Sequence, residues 1–188
     1  MASIQTTRTI ASFSLAAVMA AVSFASMAAD VMVGGAPMMA SKDIIDNAVN
    51  SKDHTTLVAA VKAAGLVDTL KSAGPFTVFA PTNAAFAALP AGTVDTLLKP
   101  ENKGTLTTVL TYHVVAGKFD AAAISKMIMD GKGMATIKTV SGGTLTAKAS
   151  GGKVMVTDEK GGSANVTIAD VYQSNGVIHV IDKVLLPK

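Results

Sequence analysis

The stretch GPFTVFAPTNAAF, residues 74–86, holds a strand, a stop signal and the start of a helix. Apolar residues alternate with their neighbours over residues 76–80, which predicts a β-strand. Pro81 ends this strand because proline has no amide hydrogen to donate. Thr82 or Asn83 can cap the helix that follows, and the alanines after them favour helix. The chain is therefore expected to pass directly from sheet to helix here.

Helices are predicted on both sides of this strand. Before it, apolar residues recur at helical spacing, and Gly65 and Gly74 mark breaks between the segments. After it, the same spacing continues with an interruption at Pro90. The predicted helices cover residues 44–49, 57–64, 66–70, 82–89, 94–98, 105–110 and 121–129.

The last third of the chain has the pattern of an antiparallel meander. Glycine pairs at 142–143, 151–152 and 161–162 separate runs that are rich in Thr and Val. Glycine supplies the positive φ angles that tight hairpins require, and the spacing suits short antiparallel strands. A sequence in which helices come first and strands later indicates the α+β class. Further strands are predicted at 112–115, 166–171 and 177–186.

Two more segments indicate a family. SNGVIHVIDKVLLP occupies residues 174–187, and Tyr112-His113-Val114-Val115 lies between it and the first stretch. In this order and spacing, the three segments resemble the signatures of the fasciclin domain family over residues 41–187. The resemblance implies an α+β fold in which two small β-sheets form a wedge and helices pack along one side. It also implies a scaffold used for adhesion rather than for one chemical reaction.

The resemblance further implies a partner-binding site. In animal members of the family a tyrosine-histidine region and an Asp-Ile pair near the start of the domain are implicated in integrin binding. The matching residues here are Tyr112, His113, Asp43 and Ile44, which are predicted to contact a partner. A structural interpretation stands beside this one. Asp43 can cap a helix, Ile44 can pack in the core, and the aromatic pair can form internal hydrogen bonds.

The N-terminus has the pattern of a secretory signal peptide. Arg8 precedes a run of small and apolar residues from Ile10 to Ala25. Ser26 and Ala28 are small residues at the positions that a signal peptidase reads, so cleavage is predicted after Ala28. We therefore expect a secreted or periplasmic protein without stable membrane insertion after cleavage.

The predicted layout has three parts: a signal peptide at 1–28, a flexible leader at 29–40 and a fasciclin domain at 41–188. Gly, Pro and Met without any periodicity indicate the leader. The chain contains no cysteine, so its stability in an oxidising compartment cannot depend on disulfides.

Composition and spacing argue against several function classes. Arg8 is the only arginine, so 15 of the 16 basic residues are lysines, and nucleic acid is not an expected partner. No nucleophile, paired carboxylates or phosphate-binding loop stands out, which predicts a protein that is not an enzyme and has no cofactor. His54, His113 and His179 lack the spacing of metal ligands. His179 is interpreted as structural and His54 as exposed.

The function predicted from the sequence is contact with an extracellular or cell-surface protein or polysaccharide, with weak self-association as a further possibility. One alternative is a periplasmic protein that handles cuprous ion through thioether sulfurs. A second alternative is a role in envelope stress or maintenance. The methionines on which the copper alternative rests are Met32, Met38, Met39, Met127, Met129 and Met134.

Overall fold

The computed structural model describes residues 30–188. The predicted signal peptide and its cleavage site lie outside the described residues. The helices are α1 (Ile44–Ala48), α2 (Thr55–Ala64), α3 (Val67–Lys71), α4 (Asn83–Ala87), α5 (Thr93–Leu98), α6 (Lys103–Tyr112) and α7 (Ala121–Asp130), with short 3-10 turns at Lys52–His54 and Pro100–Asn102. The strands are β1 (Val31–Val33), β2 (Ala36–Met38), β3 (Phe76–Pro81), β4 (Val114–Ala116), β5 (Met134–Lys138), β6 (Thr144–Ser150), β7 (Lys153–Thr157), β8 (Ser163–Gln173) and β9 (Gly176–Ile181).

Seven strands form one folded sheet in the order β4-β3-β9-β8-β7-β6-β5. Only β3 and β9 run parallel to each other, and they are the strands of the two signature stretches. β8 is long and changes register between Val166 and Val171, so it pairs with β7 near its start and with β9 along the rest. These irregularities bend the sheet into two halves. The predicted α+β class and wedge are confirmed.

The first signature stretch forms its predicted strand and helix. Thr82 caps α4, because its hydroxyl accepts a hydrogen bond from the Ala85 amide at 3.3 Å. The Asn83 side chain instead accepts from the Thr56 amide at 3.0 Å and donates to the Lys52 carbonyl at 2.8 Å. Asn83 therefore ties the start of α4 to the start of α2.

Two apolar cores lie on either side of the bend. The first core is packed between the helices α1, α2, α3 and α6 and the strands β3, β8 and β9. The second core lies between α7 and the inward residues of β5–β8, with Phe79 and Tyr112 buried within it. α7 can cover this half because its Ile124 and Ile128 are four residues apart on one face and are both buried.

The structure differs from the sequence prediction in two strand boundaries. Tyr112 was predicted to begin a strand but is the last residue of α6, and β4 begins at Val114. The strand predicted at 177–186 ends at Ile181 as β9. Beyond the charged Asp182 and Lys183, the apolar Val184 and Leu185 are buried in the cores without sheet pairing. An apolar run alone does not distinguish a paired strand from a buried segment without sheet pairing.

The predicted flexible leader is also wrong over most of its length. β1 and β2 form an antiparallel hairpin whose inward Val33 and Met38 are 3% and 4% exposed. Asn47 holds the end of this hairpin, because its side chain accepts from the Met39 amide at 3.0 Å and donates to the Met39 carbonyl at 2.8 Å. Three-residue strands with a central Gly-Gly have too little periodicity to be recognised from sequence.

We expect Met38→Ala to lower the free energy of unfolding by about 2–3 kcal/mol, because it deletes a buried side chain from the first core. Met32→Ala is the matched control in the same hairpin, since Met32 is 57% exposed, and its effect should stay below about 0.5 kcal/mol. Urea unfolding followed by circular dichroism measures both. Equal and negligible effects of the two substitutions would restore the leader interpretation.

Candidate functional site

Tyr112 lies in the second core and makes only internal contacts. Its hydroxyl donates to the Thr144 carbonyl at 2.8 Å and accepts from the Glu159 amide at 3.1 Å. Gly143 passes so close to the ring that a Cβ atom there would lie 2.6 Å from the Tyr112 Cε2. The side chain is fully buried and presents no surface. It joins α6 to the start of β6 and to the turn between β7 and β8.

His113 is buried next to Tyr112 and connects the end of α6 to the segment that follows β9. Its Nδ1 donates to the Val109 carbonyl at 2.8 Å, and its Nε2 accepts from the Leu185 amide at 3.0 Å. These two bonds require the neutral imidazole with the proton on Nδ1, because a carbonyl can only accept. Burial lowers the pKa of His113 to about 4, in agreement with the neutral form.

Asp43 and Ile44 begin α1. The Asp43 carboxylate caps the helix by accepting from the Asp46 amide at 2.8 Å and lies 3.6 Å from the Lys71 ammonium. Ile44 is 3% exposed, and its amide donates to the Asn175 side chain at 3.1 Å. Asp43 therefore keeps some exposed surface, whereas Ile44 belongs to the first core.

The structure thus supports the structural interpretation of the predicted partner-binding residues. Tyr112, His113 and Ile44 have no exposed side-chain surface that a partner could contact in this conformation. Ile44 and His113 do share one environment, since both line a cavity in the first core. These residues therefore have a structural role in the scaffold, and a contact of Asp43 with a partner stays a prediction.

The other two histidines are also buried. His179 stacks on Phe79 with 5.6 Å between ring centres, and its Nε2 lies 2.7 Å from the Phe119 carbonyl, which agrees with the structural interpretation. His54 was predicted to be exposed but is only 3% exposed. It is turned inward by the 3-10 turn that precedes α2, and Ser51 Oγ lies 2.9 Å from its Nδ1.

A surface that the motifs do not indicate is the outward side of β5, β6, β7 and the first residues of β8, Ser163 to Asn165, which we call the open face. Residues that alternate with the buried ones along these strands point away from the second core. Strand register aligns them into rows across the sheet. One row is Thr136, Thr146, Thr157 and Ser163, and a second row is Met134, Lys148, Met155 and Asn165.

The open face carries positive charge, because β5, β6 and β7 contain no acidic residue and the one carboxylate of β8, Asp170, lies beyond the paired rows. Lys138, Lys148 and Lys153 point outward from β5, β6 and β7, and none of them forms an ion pair within residues 30–188. At the margin, Asp182 is bound to Asn165 through two hydrogen bonds of 2.8 Å. Alternation in the meander could have revealed this face from sequence, but only register places the three lysines on neighbouring strands.

Within the described part of the chain, no group of three or more His, Asp or Glu side chains is placed to hold a metal ion. The methionines of the copper alternative are divided between environments. Met38 is buried, whereas Met32, Met129 and Met134 are 57%, 72% and 52% exposed. None of the helices within residues 30–188 has the length and apolar character needed to cross a membrane.

The sequence pattern of the Fasciclin domain matches residues 52–187. The chain belongs to the fasciclin domain family. The parallel pair β3–β9 and the buried Tyr112-His113 step described above are therefore features of a fasciclin domain. The match begins after the β1–β2 hairpin and α1, so these elements lie outside the matched segment but pack against its core.

Bacterial relatives share much of the fasciclin domain sequence. Protein sll1483 of Synechocystis is 53% identical over 144 residues, which are 77% of this chain and 73% of the relative. The immunogenic protein MPB70 of Mycobacterium bovis is 40% identical over 74% of this chain and 66% of its own length. The cell surface glycolipoprotein MPB83 of the same species is 36% identical over 82% of this chain and 64% of its own length.

A solved structure has the same fold. The domain pair of the insect cell adhesion molecule fasciclin I superposes with a TM-score of 0.68 over 77% of this chain and 51% of that protein. The sequences are 18% identical, so this likeness concerns the fold alone.

Proposed function

We propose that this fasciclin domain is an exported, non-enzymatic interaction module that adheres to an extracellular macromolecule through its open face. The observation that carries the proposal is the open face, where three lysines of β5, β6 and β7 and a row of hydroxyls point outward and these three strands contain no carboxylate. The relatives support the setting, since one of them is named a cell surface glycolipoprotein. The partner is a protein or a polysaccharide.

The chemistry of the open face favours an anionic polysaccharide. Hydroxyls of Thr and Ser both donate and accept hydrogen bonds, as sugar hydroxyls do. Lysines complement carboxylate or sulfate groups on a polymer, and their flexible stems tolerate irregular spacing of these groups. A protein partner would usually be met by a central aromatic anchor, whereas the rows of the open face contain no aromatic residue and the exposed Tyr172 lies farther along β8.

We expect the purified protein to bind soluble polygalacturonate and not neutral dextran of similar size. Reversing the charges with Lys138→Glu, Lys148→Glu and Lys153→Glu should weaken binding at least about tenfold, because attraction becomes repulsion at three points on the open face. Binding should also weaken as salt is raised, since exposed charges are screened. Biolayer interferometry with immobilised polymer measures these effects.

The control reverses the same number of charges away from the open face. Lys52, Lys62 and Lys103 are exposed on the helical side, and their replacement by Glu gives the same net charge. If both triple variants lose binding equally, net charge rather than the open face is responsible. If the wild-type protein binds neither polymer but captures a protein from the cell envelope, the polysaccharide proposal fails.

A further inference from the structure

A cleft lies where α7 ends and β5 begins. Its walls include Met127 from the last turn of α7 and Met134, the first residue of β5. The turn between them is tight, because the Gly131 amide donates to the Met127 carbonyl at 2.9 Å and the Gly133 amide donates to the Ile128 carbonyl at 2.8 Å. This turn reverses the chain, so β5 starts beside the helix that has just ended.

Gly131 is the point at which the backbones of the two methionines meet. A Cβ atom on this glycine would overlap the Met134 carbonyl oxygen and would lie 3.1 Å from the Met127 carbonyl oxygen. Both methionine backbones therefore lie against the same small residue. A methionine side chain is unbranched and has three rotatable bonds, so two thioether sulfurs that start this close together can reach one point in the cleft.

The donors at this cleft suit a soft cation. The chain contains no cysteine, so the thioether sulfurs of methionine are its softest donors. Asp130 carries the one carboxylate among the residues that line the cleft, and this carboxylate is paired with the Lys126 ammonium at 2.9 Å. Cuprous ion prefers thioether and thiolate sulfur, whereas calcium and magnesium ions prefer oxygen. Two neutral sulfurs beside a paired carboxylate therefore favour a soft cation of single charge.

The other methionines of the copper alternative do not line this cleft. Three of them lie in or directly after the β1–β2 hairpin, which packs on the first core. Met129 is on α7 but is 72% exposed and two residues from Met127, a spacing at which helical side chains point in different directions. Met155 of β7 shares a row with Met134, but Lys148 lies between them.

We propose that Met127 and Met134 bind one cuprous ion between their two sulfurs. Met134 is 52% exposed, so the ion can enter from solvent without a change of fold. Met127 is partly buried against the second core, which limits the positions that its side chain can take. Thioethers carry no proton that a metal must displace, unlike histidine, cysteine and carboxylate ligands. The affinity should therefore be independent of pH.

The test uses silver(I) nitrate in chloride-free buffer, because silver(I) is a soft cation of single charge that air does not oxidise. In nuclear magnetic resonance titrations of the purified protein, we expect saturable shifts in the ε-methyl signals of Met127 and Met134 and none at Met129. Cuprous ion under nitrogen should shift the same two signals. Calorimetry should give equal silver affinities at pH 6 and pH 8, a range in which a histidine site would change.

The double variant Met127→Leu, Met134→Leu should bind silver at least about tenfold more weakly, because both sulfurs are lost. Leucine has nearly the volume of methionine, so this variant is expected to fold, and circular dichroism checks it. If it does not fold, the exposed single substitution Met134→Leu replaces it and should also weaken binding at least about tenfold.

The matched control is the double variant Met32→Leu, Met129→Leu. It removes the same number of sulfurs from exposed positions outside the cleft and should keep the affinity of the wild type. Equal losses in the two double variants would mean that exposed methionines bind silver independently, which overturns the proposal. An absence of saturable shifts at Met127 and Met134 overturns it as well. The lysines and hydroxyls of the open face are unchanged in these variants, so neither result affects the proposed function.

Discussion

Asn175→Ala is expected to lower the free energy of unfolding by about 3 kcal/mol, because it removes three hydrogen bonds at a buried position. The Asn175 side chain accepts from the Ile44 amide at 3.1 Å and donates to the carbonyls of Leu70 and Ser72 at 2.7 and 3.0 Å. It thereby joins the β8–β9 turn to α1 and to the end of α3. The substitution leaves polar groups of two helices unsatisfied.

Asn50→Ala is the matched control. The Asn50 side chain also donates to a backbone carbonyl, that of Asp46 at 2.7 Å, but the bond is exposed and spans only four residues. Water can replace it, so its loss should change the free energy of unfolding by less than about 1 kcal/mol. Urea unfolding at pH 7.5 compares the two variants. A difference between them of under about 1 kcal/mol would mean that Asn175 does not hold the helices to the sheet.

Gly176, which follows Asn175, shows why the β8–β9 turn tolerates few other residues. A Cβ atom on Gly176 would overlap the Phe76 carbonyl oxygen across the parallel β3–β9 pair. The Asn175 carbonyl in turn accepts from the Phe76 amide at 3.0 Å. The Asn-Gly step is therefore constrained by direct contact with the other signature stretch, which explains why the two segments occur together.

The second large effect is a loss of stability between about pH 6.5 and pH 4, to which His113 should contribute about 3 kcal/mol. Burial lowers the pKa of folded His113 to about 4, whereas the unfolded side chain titrates near 6.5. In this window the unfolded state binds a proton that the folded state does not, so stability falls as pH falls. Burial also lowers the pKa values of His54 and His179, which adds to the same slope.

Urea unfolding of the wild-type protein and of His113→Leu at pH 7.5 and pH 4.5 tests this expectation. At pH 7.5 the variant should be less stable by about 2–3 kcal/mol, because the Leu185 amide and the Val109 carbonyl lose their partner. Its further loss of stability on going to pH 4.5 should be smaller than that of the wild type. An identical pH dependence in both proteins would show that His113 is not the group that titrates.

Sequence reasoning identified the elements in which the local pattern is strong. The strand and helix of residues 74–86, the long helices and the glycine-punctuated meander were all foreseeable, because periodicity and turn residues act over a few neighbours. The β1–β2 hairpin was missed since its strands have three residues each. His54 was placed on the surface because its polar neighbours suggest exposure, and only the packing of the hairpin over it reverses this.

The candidate sites show the same difference between what a local pattern indicates and what tertiary contacts decide. The family motifs singled out Tyr112 and His113, but a motif does not distinguish a residue that binds a partner from one that holds the core. Strand register decides that Lys138, Lys148 and Lys153 share a face, and packing decides that His54 is buried.

The sequence by itself determined the family, the α+β class and the order of the elements, because these depend on patterns along the chain. The tertiary structure alone decided which polar residues are buried and which lie in rows on the open face. Burial and register depend on contacts between residues distant in sequence, such as Ile44 with Asn175 and His113 with Leu185. Such contacts leave no periodic signal in a single chain.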